Sequence, residues 1–232
     1  MILILFFLLL LVSPVYSDSF DISGEEQLRN FKEICEFKEK NMDKVILLIG
    51  NHDTSYIIGD RCSGYQEGNE HNIKHLLSTY YDLLQMSYSY ENVLFSHAGV
   101  CESWINNIIK GLEKSAKIEA PEYTAEAISN FVNDMWKFKR LTFVFTGRDG
   151  YGDDAGQTPV WIRPRSLMKD TPDMKKAGIV QVVGHTGQSQ IDIEGKSTGK
   201  KFFFIDTLGT NQEYLIIKNK AFQSDKIYNY EK

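Results

Sequence analysis

Three separate apolar runs in this chain each break off at a turn of small residues that contains a histidine. Residues 44–53 read KVILLIGNHD, residues 92–100 read NVLFSHAGV and residues 179–187 read IVQVVGHTG. Short, nearly continuous hydrophobic runs of this kind predict strands covered on both faces. Sheets of such strands bind ligands beyond the carboxyl ends of the strands, where the loops converge. His52, His97 and His185 are therefore expected to meet at one end of a sheet. A single histidine after a strand is more often a hydrogen-bonded surface residue, but three in the same position, out of five in the chain, reverse that reading. His71 and His75, four apart on a helical pattern, read instead as a solvated helix face. Gly50, Gly99 and Gly184 are expected to let the backbone turn sharply beside the histidines.

Between the strands the apolar spacing is helical. Helices are predicted over 24–41, with Ser23 as N-cap, over 71–85, and over 101–114 and 122–138 with Pro121 between them. Residues 146–158, rich in Gly and Asp, read as a loop, and KFFFID and EYLII read as an antiparallel pair. Alternating strands and helices place the chain in the α/β class. Its 232 residues, 42% hydrophobic and 25% charged, suit one such domain and exclude a disordered or collagen-like chain. A net charge of −5 gives no attraction to a nucleic-acid backbone, so no nucleic-acid partner is expected. Cys35, Cys62 and Cys101 include no CxxC pair and read as reduced thiols.

Residues 2–12, ILILFFLLLLV, form an uninterrupted apolar run followed by Ser13-Pro14-Val15-Tyr16-Ser17. The run is too short for a stable membrane span. It has the length of a signal-peptide core, without the usual positive flank, and it reads equally as a buried strand. The chain accordingly divides into a signal-like or strand segment, 1–17, and one domain, 18–232. Export follows from the first alternative only.

Neutral imidazoles joined by the carboxamide oxygen of Asn51 make a donor set suited to zinc, manganese or iron. GNHD, SHAGV and VVGHT, in that order and each after an apolar strand, resemble the later motifs of the calcineurin-like metallophosphoesterases. The similar branch contains serine/threonine phosphatases and symmetrical diadenosine-polyphosphate hydrolases. QTPVWIRPR and FFFIDTLGT resemble the segments on either side of the last metal-binding histidine, so the resemblance covers residues 18–218. It implies a four-layer αββα sandwich, incomplete at its N-terminus, and a cytoplasmic location. It also implies that Asn51, His97 and His185 are metal ligands and that His52 is the acid protonating the leaving oxygen. Asp18 falls where the aspartate orienting that acid would lie, and Arg163 becomes a phosphate contact, unless it stacks on Trp161.

The implied function is hydrolysis of phosphomonoesters or phosphoanhydrides, in phosphoproteins, phosphorylated small molecules or dinucleotide polyphosphates. The implied cofactor is divalent Mn, Fe or Zn: two ions in complete relatives, at most one here. The family's Asp-x-His motif has no counterpart before Asn51, and Val15 stands where the bridging carboxylate belongs. Asp21 and Asp60 read as solvated loop residues rather than substitutes. Weak or absent activity is therefore expected. The alternative is a non-catalytic, degenerate phosphoesterase-fold binding protein. A histidine-based hydrolase without metal lacks support, since Ser96 directly precedes His97 in sequence, which does not make a nucleophile and base pair.

Overall fold

The computed structural model of the chain describes residues 3–6, 24–112 and 119–226. Leu3–Phe6 (β1) runs parallel to Val45–Leu48 (β2), with Leu3 opposite Val45 and Phe6 opposite Leu48. Leu84–Gln85 (β3) pairs parallel on the far side of β2. The rest of segment 1–17, together with Asp18, Asp21 and Ser23, lies outside the described residues. A second sheet has the order Ser87–Tyr90 (β4), Val93–Ser96 (β5), Val180–Val183 (β6) and Phe202–Phe204 (β7). In it β4 is antiparallel to β5 and the remaining pairs are parallel. Glu213–Lys218 (β8) and Ala221–Lys226 (β9) form a hairpin.

Seven α-helices accompany the strands among the described residues: Gly24–Lys40 (α1), Asn51–Ile58 (α2), Glu70–Thr79 (α3), Glu102–Leu112 (α4), Ala125–Phe138 (α5), Pro164–Lys169 (α6) and Pro172–Lys176 (α7). Helix α1 carries Glu25 and Glu26 in its first turn and Lys38 and Lys40 in its last, both signs favourable to the helix dipole. Helix α5 is capped by Thr124, whose Oγ1 accepts the Ala127 amide at 3.1 Å.

Alternation along the strands divides the interior. Leu94 and Val183 face the core built with α4 and α5, where Trp104, Trp136 and Phe143 pack ring to ring. Val93, Phe95, Val180 and Val182 face the opposite layer with Phe203. Helices α1 and α3 cover β2 through Phe31, Cys35, Ile73 and Leu77.

Several expectations are corrected. The helix predicted to run to residue 85 stops at Thr79, because Leu84 and Gln85 complete backbone hydrogen bonds along β2 instead. KFFFID and EYLII do not pair with each other. β7 joins β6, with Phe204 opposite Val183, and β8 folds onto β9 across Asn219 and Lys220, whose φ values of 51° and 62° suit a tight hairpin turn. The mixed α/β class stands, whereas the four-layer αββα sandwich is not confirmed by the sheets described.

Of the three glycines beside the histidines only Gly99 has a left-handed backbone. Its φ is +119°, and a Cβ there would lie 2.3 Å from Leu167 Cδ2. Gly50 has φ −105°, and a Cβ on Gly184 would meet only His97 O at 3.7 Å. Gly99→Ala is expected to cost about 2–3 kcal/mol, the sum of a disfavoured backbone and an overpacked Leu167. Urea unfolding checks this, and an unchanged midpoint would contradict it.

Candidate functional site

The site forms where β2, β5 and β6 end. The ladder between β5 and β6 continues one step past the strands, with Gly184 N donating to His97 O at 2.9 Å, so His97 and His185 leave the sheet side by side. His185 has a left-handed backbone, φ 65°, which is uncommon for a residue with a side chain and turns the chain abruptly at this point. Asn51 is the first residue of α2. The Gly50 amide donates to Asp53 Oδ2 at 2.8 Å, which caps the helix start and fixes where Asn51 sits.

These backbones bring three side-chain atoms together. His97 Nε2 lies 2.9 Å from Asn51 Oδ1 and 3.1 Å from His185 Nδ1. An amide oxygen only accepts, so His97 carries its proton on Nε2 and shares it between the two neighbours. His185 Nδ1 is then an acceptor, and its own proton sits on Nε2. That atom is buried and makes no well-aligned hydrogen bond among the described residues, the Trp161 backbone being the acceptor that acts on the ring and raises its pKa against the effect of burial. The Trp161 ring stands edge-on to His185 at 5.8 Å and helps enclose it.

Burial lowers the pKa of His97 to about 3, reinforced by the charges of His52 and Arg163. Burial also takes His185 well below the ordinary histidine value, with His97, Arg163 and His52 acting in the same direction. His52 is lowered by burial as well. The cluster is thus neutral near pH 7, with Arg163 as the cation beside it. Arg163 Nε donates to Tyr151 O at 2.5 Å, and its Nη1 donates to Thr186 Oγ1 at 3.1 Å and to His185 O at 3.4 Å. Its guanidinium therefore holds the glycine- and aspartate-rich loop against the turn after β6.

Asn51, His97, His185 and Arg163 are therefore brought together, with His52 one residue on from Asn51. Its Nδ1 is 3.5 Å from Cys62 Sγ, which in turn lies 3.0 Å from Ser55 Oγ. Cys62 and Ser55 have no signal in the sequence, because Cys62 belongs to an irregular loop and only the fold sets it beside α2. Asp60 does not face the cluster through its carboxylate, which accepts the Phe145 amide at 3.1 Å. His71 and His75 are exposed on α3.

The expected Mn, Fe or Zn is corrected. Among the described residues no group of three or more His, Cys, Asp or Glu is placed to hold a metal ion. The cluster has only two such residues and an amide in direct contact, all neutral, and no carboxylate or thiolate to balance a divalent charge. Among the described residues no helix is long and apolar enough to cross a membrane.

No family model matches the chain, and no curated protein does. Solved structures do. A point mutant of a cold-active protein tyrosine phosphatase matches with a TM-score of 0.54 and 17% identity, over 88% of this chain and 63% of that one. The cold-active protein-tyrosine phosphatase of a psychrophile, Shewanella sp., matches with 0.53 and 17%, over 86% and 61%. A further structure of a cold-active protein tyrosine phosphatase matches with 0.51 and 15%, over 86% and 63%. The chain thus spans a little under two-thirds of the length of these proteins. The likeness shows a shared α/β fold. It also corrects the calcineurin-like metallophosphoesterase assignment: the structures that share the fold are named protein tyrosine phosphatases.

Proposed function

We propose that the chain is a phosphoesterase acting on phosphomonoesters, with a phosphorylated protein or small molecule as substrate. The observation that carries this reading is a buried donor without a well-aligned acceptor, set beside a cation. His185 Nε2–H is buried without a well-aligned acceptor, and Arg163 is hydrogen-bonded to the carbonyl of the same residue. A phosphoryl oxygen supplies the missing acceptor and meets the guanidinium at once. The fold shared with structures named as tyrosine phosphatases supports the same class.

In phosphoryl transfer, charge spreads over the equatorial oxygens, and fixed donors aimed at them lower the barrier. Arg163 and His185 take that part, while the neutral His97 and the Asn51 amide lock the His185 tautomer. His52 gives a proton to the departing oxygen. Its lowered pKa makes the protonated form scarce at neutral pH, so turnover is expected to rise as the pH falls below the ordinary histidine value. A pH–rate profile that is flat or rises towards alkali would contradict the role.

The decisive assay is steady-state hydrolysis of p-nitrophenyl phosphate and of a phosphotyrosine peptide. Saturable release of phosphate, lowered about tenfold or more by His52→Asn, is the expected result. A chain that shows no turnover and binds no phosphate would overturn the reading. A second reading, phosphate binding without turnover, is favoured by one feature: among the described residues no carboxylate is hydrogen-bonded to His52, His97 or His185, so none of them is set up as a strong base. Phosphate binding with no hydrolysis of either substrate would select it.

A further inference from the structure

Deepening that reading and resting on it, we infer that Cys62 is the positioning residue for His52, fixing which imidazole nitrogen carries the proton that faces the substrate. Three contacts carry this. Cys62 Sγ is 3.5 Å from His52 Nδ1, Ser55 Oγ is 3.0 Å from the same sulfur, and Ser55 Oγ is also 3.0 Å from Asn51 O. Ser55 is fully buried and Cys62 half-buried, so the arrangement is built into α2 and the loop after it rather than lying on the surface.

The protons can be followed along this chain. A hydroxyl has one proton to give. Asn51 O already accepts from Thr54 Oγ1 at 2.8 Å, and the Ser55 hydroxyl, 3.0 Å from the sulfur, acts on Cys62 as a donor that lowers its pKa, so the Ser55 proton is assigned to the sulfur. The thiol proton is then turned towards His52 Nδ1, which becomes an acceptor, and the neutral ring carries its proton on Nε2. Nδ1 is taken by the thiol, so Nε2 is the donor left for a substrate oxygen. When the ring takes a second proton, that proton enters at Nδ1 and points back at the sulfur, and Nε2 keeps its own. Cys62 acts through His52 and does not attack phosphorus. Burial raises its pKa by more than the Ser55 hydrogen bond lowers it, and the nearby Asp60 and Asp53 add to the rise, so the sulfur stays a thiol and a poor nucleophile at neutral pH.

The test is the pair of imidazole 15N shifts of His52, read in the full chain at alkaline pH, where the ring is neutral. The native protein is expected to show one tautomer, protonated at Nε2. Cys62→Ala is expected to bring the two shifts together, as in a tautomer mixture, and Cys62→Ser, which keeps a donor, to restore them. Ser55→Ala leaves the thiol in place but removes its orienting donor, so it should move the ratio in the same direction and serves if Cys62→Ala does not fold. In turnover, Cys62→Ala is expected to lower kcat about tenfold with KM unchanged, and Cys62→Ser to recover most of the loss.

His52 shifts indifferent to both Cys62→Ala and Ser55→Ala would overturn the inference. So would a Cys62→Ser variant that keeps the tautomer and loses all turnover, since the sulfur would then be a reacting group. The shifts need no turnover, so a chain that hydrolyses nothing still tests the positioning role, and its failure is separate from that of the proposed reaction.

Discussion

Arg163→Ala is expected to lower kcat/KM for p-nitrophenyl phosphate about 100-fold, the usual scale for removing a charged donor aimed at a developing oxyanion. Arg163 is the cation whose charge reaches both His97 and His185, and its guanidinium is fixed by Tyr151 O, His185 O and Thr186 Oγ1. Those same bonds tie down the loop before it, so part of the loss comes from a looser rim. Arg163→Lys separates the two effects. A point charge restores some electrostatic stabilisation but cannot span the same three acceptors, so an intermediate rate is expected. An Arg163→Ala variant within about threefold of the native rate would remove Arg163 from the site.

Acid should unfold the protein in a way that one substitution makes visible. His97 and His185 are neutral in the fold and free to protonate in the unfolded chain. Their contribution is complete above the ordinary histidine value of 6.5 and is lost as the pH falls towards the folded value of about 3 for His97. At about pH 5 His97 costs about 2 kcal/mol, and His185 and His52 add in the same direction.

Asp53 works against them. Burial raises its carboxyl from 3.8 to about 7, so the fold holds a proton that the unfolded chain has released, and acidification relieves a penalty. Between about pH 7.5 and pH 5 that relief is roughly 2–3 kcal/mol. Asp53→Asn, which keeps an oxygen for the Gly50 amide, is therefore expected to lose about 2–3 kcal/mol more than the native protein over this range. Urea midpoints at the two pH values measure both. Equal losses in the two proteins would show that Asp53 is ionised and compensated in the fold.

The strands that carry the site were legible because each is a continuous apolar run that stops at small residues, and this is also why the convergence of His97 and His185 could be read from spacing. Helix α2 was hidden for a physical reason. It has only eight residues, and Asn51, Asp53, Thr54, Ser55 and Tyr56 are all buried, so no polar face alternates with an apolar one to give a period. What marks it is its ends, Asp53 accepting from Gly50 and Gly59 at φ 88°. Strand β4, Ser-Tyr-Ser-Tyr, reads as polar, and only its pairing with β5 and the burial of Ser87 against Ser129 make it a strand. The resemblance to metallophosphoesterases misdirected the chemistry because it rests on the same tetrads that place the histidines. Those tetrads encode where the strands end, and a neutral Asn–His–His hydrogen-bond cluster satisfies them as well as a metal site does.

The central claim is that His185 and Arg163 form one pocket for a phosphoryl group, and the imidazole 15N and 1H signals of the full chain titrated with inorganic phosphate test it most directly. Saturable movement of the His185 Nε2–H signal, abolished in Arg163→Ala while the amide spectrum stays folded, is the result expected. A His185 signal that does not respond to phosphate, or that responds identically without Arg163, would contradict it.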